Sequence, residues 1–256
     1  MMRAMMFCCV VGCGLAVGCS KSKPTAKNPD PVTVLIDDPS QSMEPIGTVD
    51  DDQRRLAKNN LHVIMEAVFT YFDSYSTMPN VEIKTKPGKT KLSWRVHVLP
   101  YLDQQKLYAE FKLDEPWDSA TNKALIGKMP KVCAPVHAKV DPGMTFTRGF
   151  AGPGAPFEEG KKLKFLSFPD GSSNTIGLIE AGDAVVCTQP GNEIPFDKTK
   201  PLPKLGGDVD GDFHAALFNG LGIVIKRDYD EAAMKGAITI NGGEVPEMQK
   251  LTPMKK

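Results

Sequence analysis

The chain has 256 residues, with 31 basic and 31 acidic side chains and no formal net charge. No basic block or interleaved aromatic set is present, which sets nucleic acid aside as a partner. The length suits one substantial domain or two small ones, and 23 Gly with 21 Pro point to a loop-rich protein of short elements.

Met1 to Phe7 carry a single charge, Arg3, and an apolar run follows that stops at Ala16-Val17-Gly18-Cys19. A basic start, a short apolar core and small residues at the cut are the features of a secretion signal. A Cys directly after the small residues predicts a lipoprotein signal, cleaved after residue 18, with diacylglycerol on Cys19. The stretch Ala4 to Val17 is shorter than the roughly 17–25 residues of a spanning helix. A second small-residue stretch, Val10-Val11-Gly12-Cys13, would leave too short an apolar core. Ser20 follows the acylated Cys where an inner-membrane protein often has Asp, so the expected address is the outer membrane or the periplasm-facing envelope.

Residues 19–49 are rich in Lys, Ser, Pro, Asp and Thr and read as a flexible tether. One apolar patch, Val32 to Ile36, interrupts it. Asp50 with Gln53 then resembles an N-cap and its partner. Ala57, Leu61, Ile64, Met65, Val68, Phe72 and Tyr75 follow at helical spacing, predicting one amphipathic helix of about 25 residues that ends before Pro79. The run is interrupted before Asp50 by Pro45 and Gly47, so the helix is expected to start near Asp50 as the spine of a core.

From Leu92 to Pro135 the pattern is of short helices. Ser93 can cap a turn through Trp94 to Leu99, Pro100 interrupts it, and helix resumes from Asp103 to Phe111 and again from Asn122 to Met129. The alternation of Trp94, Val96 and Val98 would also suit a strand. After Pro142 come short alternating or apolar runs: Thr145–Phe150, Lys164–Phe168, Thr175–Glu180, Ala184–Thr188 and Gly222–Lys226. Turn clusters such as Asp170-Gly171 and Asn219-Gly220 separate them, which predicts antiparallel strands. A last helix is expected at Asp230 to Met234, before a Gly242-Gly243-Glu244 turn and a C-terminal tail from 247 to 256. Long helix, helical insert and then strands indicate an α+β fold.

Several of these stretches together resemble one family. Asn59-Asn60-Leu61 through Tyr71-Phe72 to Pro79 is similar to the long helix of the DUF1559 proteins, also labelled as a bacterial solute-binding-type family. Leu92-Ser93-Trp94-Arg95-Val96 with Leu99-Pro100-Tyr101-Leu102-Asp103 resembles their "SWR…LPYL(D/E)Q" signature. Glu115-Pro116-Trp117-Asp118 with Asn122 continues it, Asp170 to Ile176 resembles "DG(T/S)SNT(I/L)", and Asn241-Gly242-Gly243-Glu244 resembles the closing "GGE". The resemblance runs over about 50–246. It implies a pilin-like α+β domain, a long helix on a small antiparallel sheet, in proteins abundant in planctomycete-type bacteria. This chain departs from that pattern in its lipoprotein-like N-terminus, where many members have a prepilin signal. It departs again at Asn219-Gly220-Leu221-Gly222, where they have an acidic hairpin.

Candidate chemistry is sparse. Asp208, Asp210 and Asp212 alternate on a Gly-bent loop and are the best candidate for a metal site, with calcium as the cation. The loop lacks the spacing of an EF-hand, and a solvated acidic turn is the plainer reading. Cys133 and Cys187 are the two thiols outside the signal and can pair in an oxidising compartment. Asp170 to Asn174 reads as a hairpin turn rather than a nucleophile turn. His62, His97, His137 and His214 show no ligand spacing. Trp94 and Trp117 suit either core packing or sugar stacking, and Arg95 is a candidate partner for Asp118. The expectation is a non-enzymatic, lipid-anchored envelope protein whose partners are the membrane and other envelope proteins or glycans. A solute- or glycan-binding lipoprotein serving a transporter is the alternative, and an exported hydrolase the third reading.

Overall fold

The computed structural model describes residues 49–79, 92–136, 138–158, 163, 167–206, 211–243 and 246–253. Helix α1 runs over Val49–Tyr75, so Asp50 lies in its first turn rather than at a cap. The helix ends where Ser76 turns left-handed at φ 52° and its amide bonds to the Phe72 carbonyl at 2.7 Å. Leu61, Ile64, Met65, Val68 and Phe72 are all buried, so the apolar stripe read from the sequence is the packed face.

The segment after residue 92 is helical, which settles the ambiguity at Trp94, Val96 and Val98. Ser93 caps α2 (Trp94–His97) by accepting the Arg95 amide. Pro100 opens a 3-10 turn at Leu99–Leu102. Helices α3 (Gln105–Glu110) and α4 (Ala120–Lys123) follow, and 3-10 turns at Ile126–Lys128 and Lys131–Cys133 close the insert.

Among the described residues six strands come next: β1 (Met144–Arg148), β2 (Phe150–Ala151), β3 (Ile176–Val186), β4 (Ile194–Pro195), β5 (Phe213–Leu217) and β6 (Gly222–Ile225). The main sheet has the order β1-β3-β5-β6 and is antiparallel throughout. Strands β2 and β4 form a separate parallel pair, Phe150 opposite Ile194, where only antiparallel pairing was expected. The two runs Thr175–Glu180 and Ala184–Thr188 are one strand, β3, carried across Gly182. The expected strand Lys164–Phe168 lies mostly outside the described residues. Helix α5 covers Glu231–Ile238 and is capped by Asp230, whose carboxylate accepts the Ala233 amide. It is longer than the expected Asp230 to Met234, and Gly236, Ala237 and Ile238 of the added turn are buried.

The sheet is covered on both faces. Toward α1 and the helical insert it presents Leu178, Ala216 and Phe218, in one cluster with Leu61, Ile64, Val68, Phe72 and Trp94. Toward α5 it presents Ile176, Ile179, Phe213, Ala215 and Leu217, with Met234, Ala237, Ile238 and Leu251. Gly177 lets α1 come close, because a Cβ there would run into the Met65 sulfur. The expected C-terminal tail is part of the core: Leu251 is buried, and its carbonyl takes the Lys226 amide at 2.8 Å. The architecture is α+β, a four-stranded antiparallel sheet between a long helix with its insert and a short C-terminal helix.

Candidate functional site

The densest polar site is built around Arg95, which α2 carries into the interior. The side chain is 2% exposed. Its Nη1 donates to Glu193 Oε1 at 3.0 Å and to Ser93 Oγ at 3.0 Å, and its Nη2 donates to the Thr147 carbonyl at 2.6 Å. Glu193 Oε1 also accepts from Trp94 Nε1 at 2.8 Å, and Oε2 accepts the Gly149 amide at 2.6 Å. Gly149 can approach because a Cβ there would run into the Phe157 ring. The Ser93 amide donates to the Thr188 carbonyl at 2.9 Å. Three consecutive residues therefore dock the insert onto β1, the end of β3 and the turn before β4. A buried charge needs this degree of pairing to be tolerated.

This arrangement corrects the expected pair with Asp118, which is exposed. Trp94 is buried and tilted against Phe157 at 5.6 Å, so its face is not open for a sugar. Trp117 is half-buried and packs on the same cluster. The space beside Trp94, lined by Ile64, Arg95, Val98, Leu102, Cys133 and Thr147, is too narrow for a water molecule.

Two further signature residues also tie loops together. Asn122 is fully buried. Its Oδ1 accepts the Lys112 amide at 2.9 Å, and its Nδ2 donates to the carbonyls of Lys112, Glu115 and Pro116 at 3.0, 3.2 and 3.0 Å. Asp170 accepts the Gly242 amide at 2.6 Å and the Gly243 amide at 3.2 Å, while Asn174 Nδ2 donates back to the Asp170 carbonyl at 2.8 Å. The "DGSSN" turn is thus the clasp for the "NGG" turn.

Cys133 and Cys187, 54 positions apart, meet in the core. Both are buried and carry free thiols, and the Cys133 thiol hydrogen-bonds to Cys187. That bond, with burial, holds Cys133 well above the ordinary thiol range. Accepting the same bond, with help from the Arg95 charge and the Thr145 hydroxyl, lowers Cys187 despite its burial.

Of the metal candidates, Asp208 and Asp210 lie outside the described residues. Asp212 accepts the Arg227 amide at 3.2 Å, and Arg227 Nε donates to the Gly211 carbonyl at 2.9 Å. Among the described residues no group of three or more His, Cys, Asp or Glu side chains is gathered to hold a metal ion. His137 and Cys19 also lie outside them. His214 was read only as one of four scattered histidines. It is buried on β5, its Nδ1 2.9 Å from Glu180 Oε2, which also takes the His214 amide at 2.8 Å. His62 Nδ1 lies 2.7 Å from the Gly220 carbonyl.

At the surface, Tyr75 is 60% exposed and its ring lies 4.5 Å from that of Tyr71, which is edge-on to Tyr101 at 6.0 Å. A hydrogen bond with Tyr101 raises the Tyr75 hydroxyl pKa. A separate open cleft of about 740 Å³ beside α5 is lined by charged groups, including Lys235 paired with Glu231 and Lys250 paired with Glu247. Among the described residues no helix is long and apolar enough to cross a membrane.

Compared with known proteins, residues 54–135 match the family model SBP_bac_10, described as a protein of unknown function (DUF1559). The matched segment holds most of α1 and the whole insert, with Trp94, Arg95 and Asn122; Asp170 and Glu193 lie beyond it. No curated protein and no solved structure matches the chain.

Proposed function

We propose that this chain, a DUF1559 protein through its residues 54–135, is a non-enzymatic protein of the bacterial cell envelope, anchored by a lipid on Cys19 and structural or binding in role. The observation that carries the non-enzymatic reading is that its signature polar side chains are taken up by the backbone. Arg95, Asn122 and Asp170 each bind backbone groups of other loops. They set the shape of the domain. The anchoring rests on Ala16-Val17-Gly18-Cys19 after a short apolar core, and Ser20 favours the outer membrane.

A glycan- or solute-binding lipoprotein is the second reading, and the exposed Tyr75 ring, grouped with the half-buried Tyr71 and Tyr101, favours it. Aromatic faces with hydroxyl rims suit flat sugar surfaces better than they suit a deep solute pocket. Retention of the protein on insoluble cell-wall polysaccharide separates the two readings.

Anchoring is tested directly by fractionation. The natural chain should sediment with membranes and take up labelled fatty acid. Cys19→Ala should move to the soluble fraction without label. Persistent membrane association of the Ala variant would overturn the lipid anchor.

A further inference from the structure

The 3-10 turn Lys131–Cys133 and the end of β3 are separate in sequence and share one buried contact. The Cys187 amide donates to the Gly143 carbonyl at 2.8 Å, and the Cys133 amide to the Pro130 carbonyl at 2.9 Å, so both backbones are held in place. Thr145, one strand across, and Arg95 flank the two sulfurs. Both side chains belong to the core cluster shared by α1 and the insert. Two buried thiols that meet on anchored backbones are placed for a cross-link once an oxidant reaches them.

We propose that Cys133 and Cys187 are the two halves of a cross-link that bolts the helical insert to the sheet, formed by exchange with a protein or small-molecule disulfide. Cys187 loses its proton to solvent and, as a thiolate, attacks one sulfur of the donor disulfide and expels the other as a thiolate. Cys133 then loses its proton to solvent and attacks Cys187 Sγ, releasing the second donor thiolate. Two protein thiols are oxidised, and the donor disulfide is reduced to two thiols. Both sulfurs are buried in the finished fold, so the exchange belongs to folding, before the core layer closes over them. Once formed, the bond is shielded from reductant by the same layer. The proposal rests on the export reading only for the source of its oxidant.

The test uses the full-length chain with Cys8, Cys9, Cys13 and Cys19 changed to Ser, leaving only the two core thiols. It is refolded from denaturant in a buffer of oxidised and reduced glutathione, denatured again, and treated with a maleimide. The expected result is no labelled thiol, a mass lower by two hydrogens, and one peptide joining Cys133 to Cys187. Reduced and refolded without oxidant, both should label. Two labelled thiols after the oxidising refold, or glutathione on each Cys, would overturn the cross-link. Cys133→Ser in the same background should leave Cys187 with one label or one glutathione. The natural chain recovered from the envelope without reductant is the second arm. A bond formed in glutathione but two free thiols in that chain would support the pair and count against export.

Discussion

Removal of the Glu193 carboxylate tests the Arg95 site most sharply. In Glu193→Ala the guanidinium, 2% exposed, keeps Ser93 Oγ and the Thr147 carbonyl but loses its only ion-pair partner among the described residues. Breaking a buried pair by removing one partner costs about 3–5 kcal/mol. Trp94 Nε1 and the Gly149 amide lose their acceptors at the same time, each worth about 1–3 kcal/mol when left unsatisfied. The three losses share one carboxylate, so they do not add in full, and about 5 kcal/mol is the expected total. For a fold of this size each kcal/mol lowers the melting temperature by about 2–4 °C, so the variant should melt about 10–20 °C lower. Urea unfolding followed by far-ultraviolet circular dichroism measures the loss. Trp94 is one of two tryptophans, and its near-ultraviolet signal should change with the lost hydrogen bond. Arg95→Met with Glu193→Met should be less destabilised than the sum of the two single variants, because neither leaves a charge behind. A loss below about 1 kcal/mol for Glu193→Ala, or strict additivity in the double variant, would refute the reasoning.

Burial lowers the pKa of His97, so the folded protein keeps the ring neutral while the unfolded chain takes a proton as pH falls below about 6.5. Stability is fully present above that value and declines on acidification until the lower folded pKa is reached. His97→Gln should make urea midpoints between pH 7 and pH 5 fall less steeply than in the natural chain; parallel curves would sink the assignment. Asp170→Ala should free the Gly242 and Gly243 amides, costing about 1–2 kcal/mol. Their hydrogen exchange should accelerate while exchange in α1 stays ordered above it, and unchanged exchange at both glycines would show that the clasp carries nothing.

How far the sequence reaches can be judged element by element. Helix α1 was legible because one face is buried and the other wet, which prints a period on the chain. The cap Ser93 was legible for a local reason, since a cap and its amide lie within three residues. Strand β5 was missed, although it is central. Its residues Phe213-His214-Ala215-Ala216-Leu217 are buried on both faces, so no alternation is visible, and two alanines lower its strand propensity. Glu193 was missed for a different reason. It sits in a turn behind Pro190, Gly191 and Asn192, and nothing near it names a partner 98 positions earlier. Asp118 was nearer in sequence and carried the same charge, but a helical insert turns it outward. The clasp between Asp170 and Gly242 joins two stretches recognised separately, and only the fold brings them together.

The share of the core supplied late in the chain has a consequence for the order of events during synthesis. The buried face of α1 and all of the insert are made by residue 135, but the surfaces they rest on are not. Leu178, Cys187, Ala216 and Phe218 come later, and Ile240 belongs to the same cluster. Lys226 on the far edge waits for the Leu251 carbonyl. A chain emerging from the ribosome therefore has little stable structure to close on until its last few residues are out. The segment that matches the family model is, for the same reason, half of a fold rather than a unit that could stand alone. A nascent chain that stays open this long is one a narrow secretion channel can still thread, as the proposed export requires.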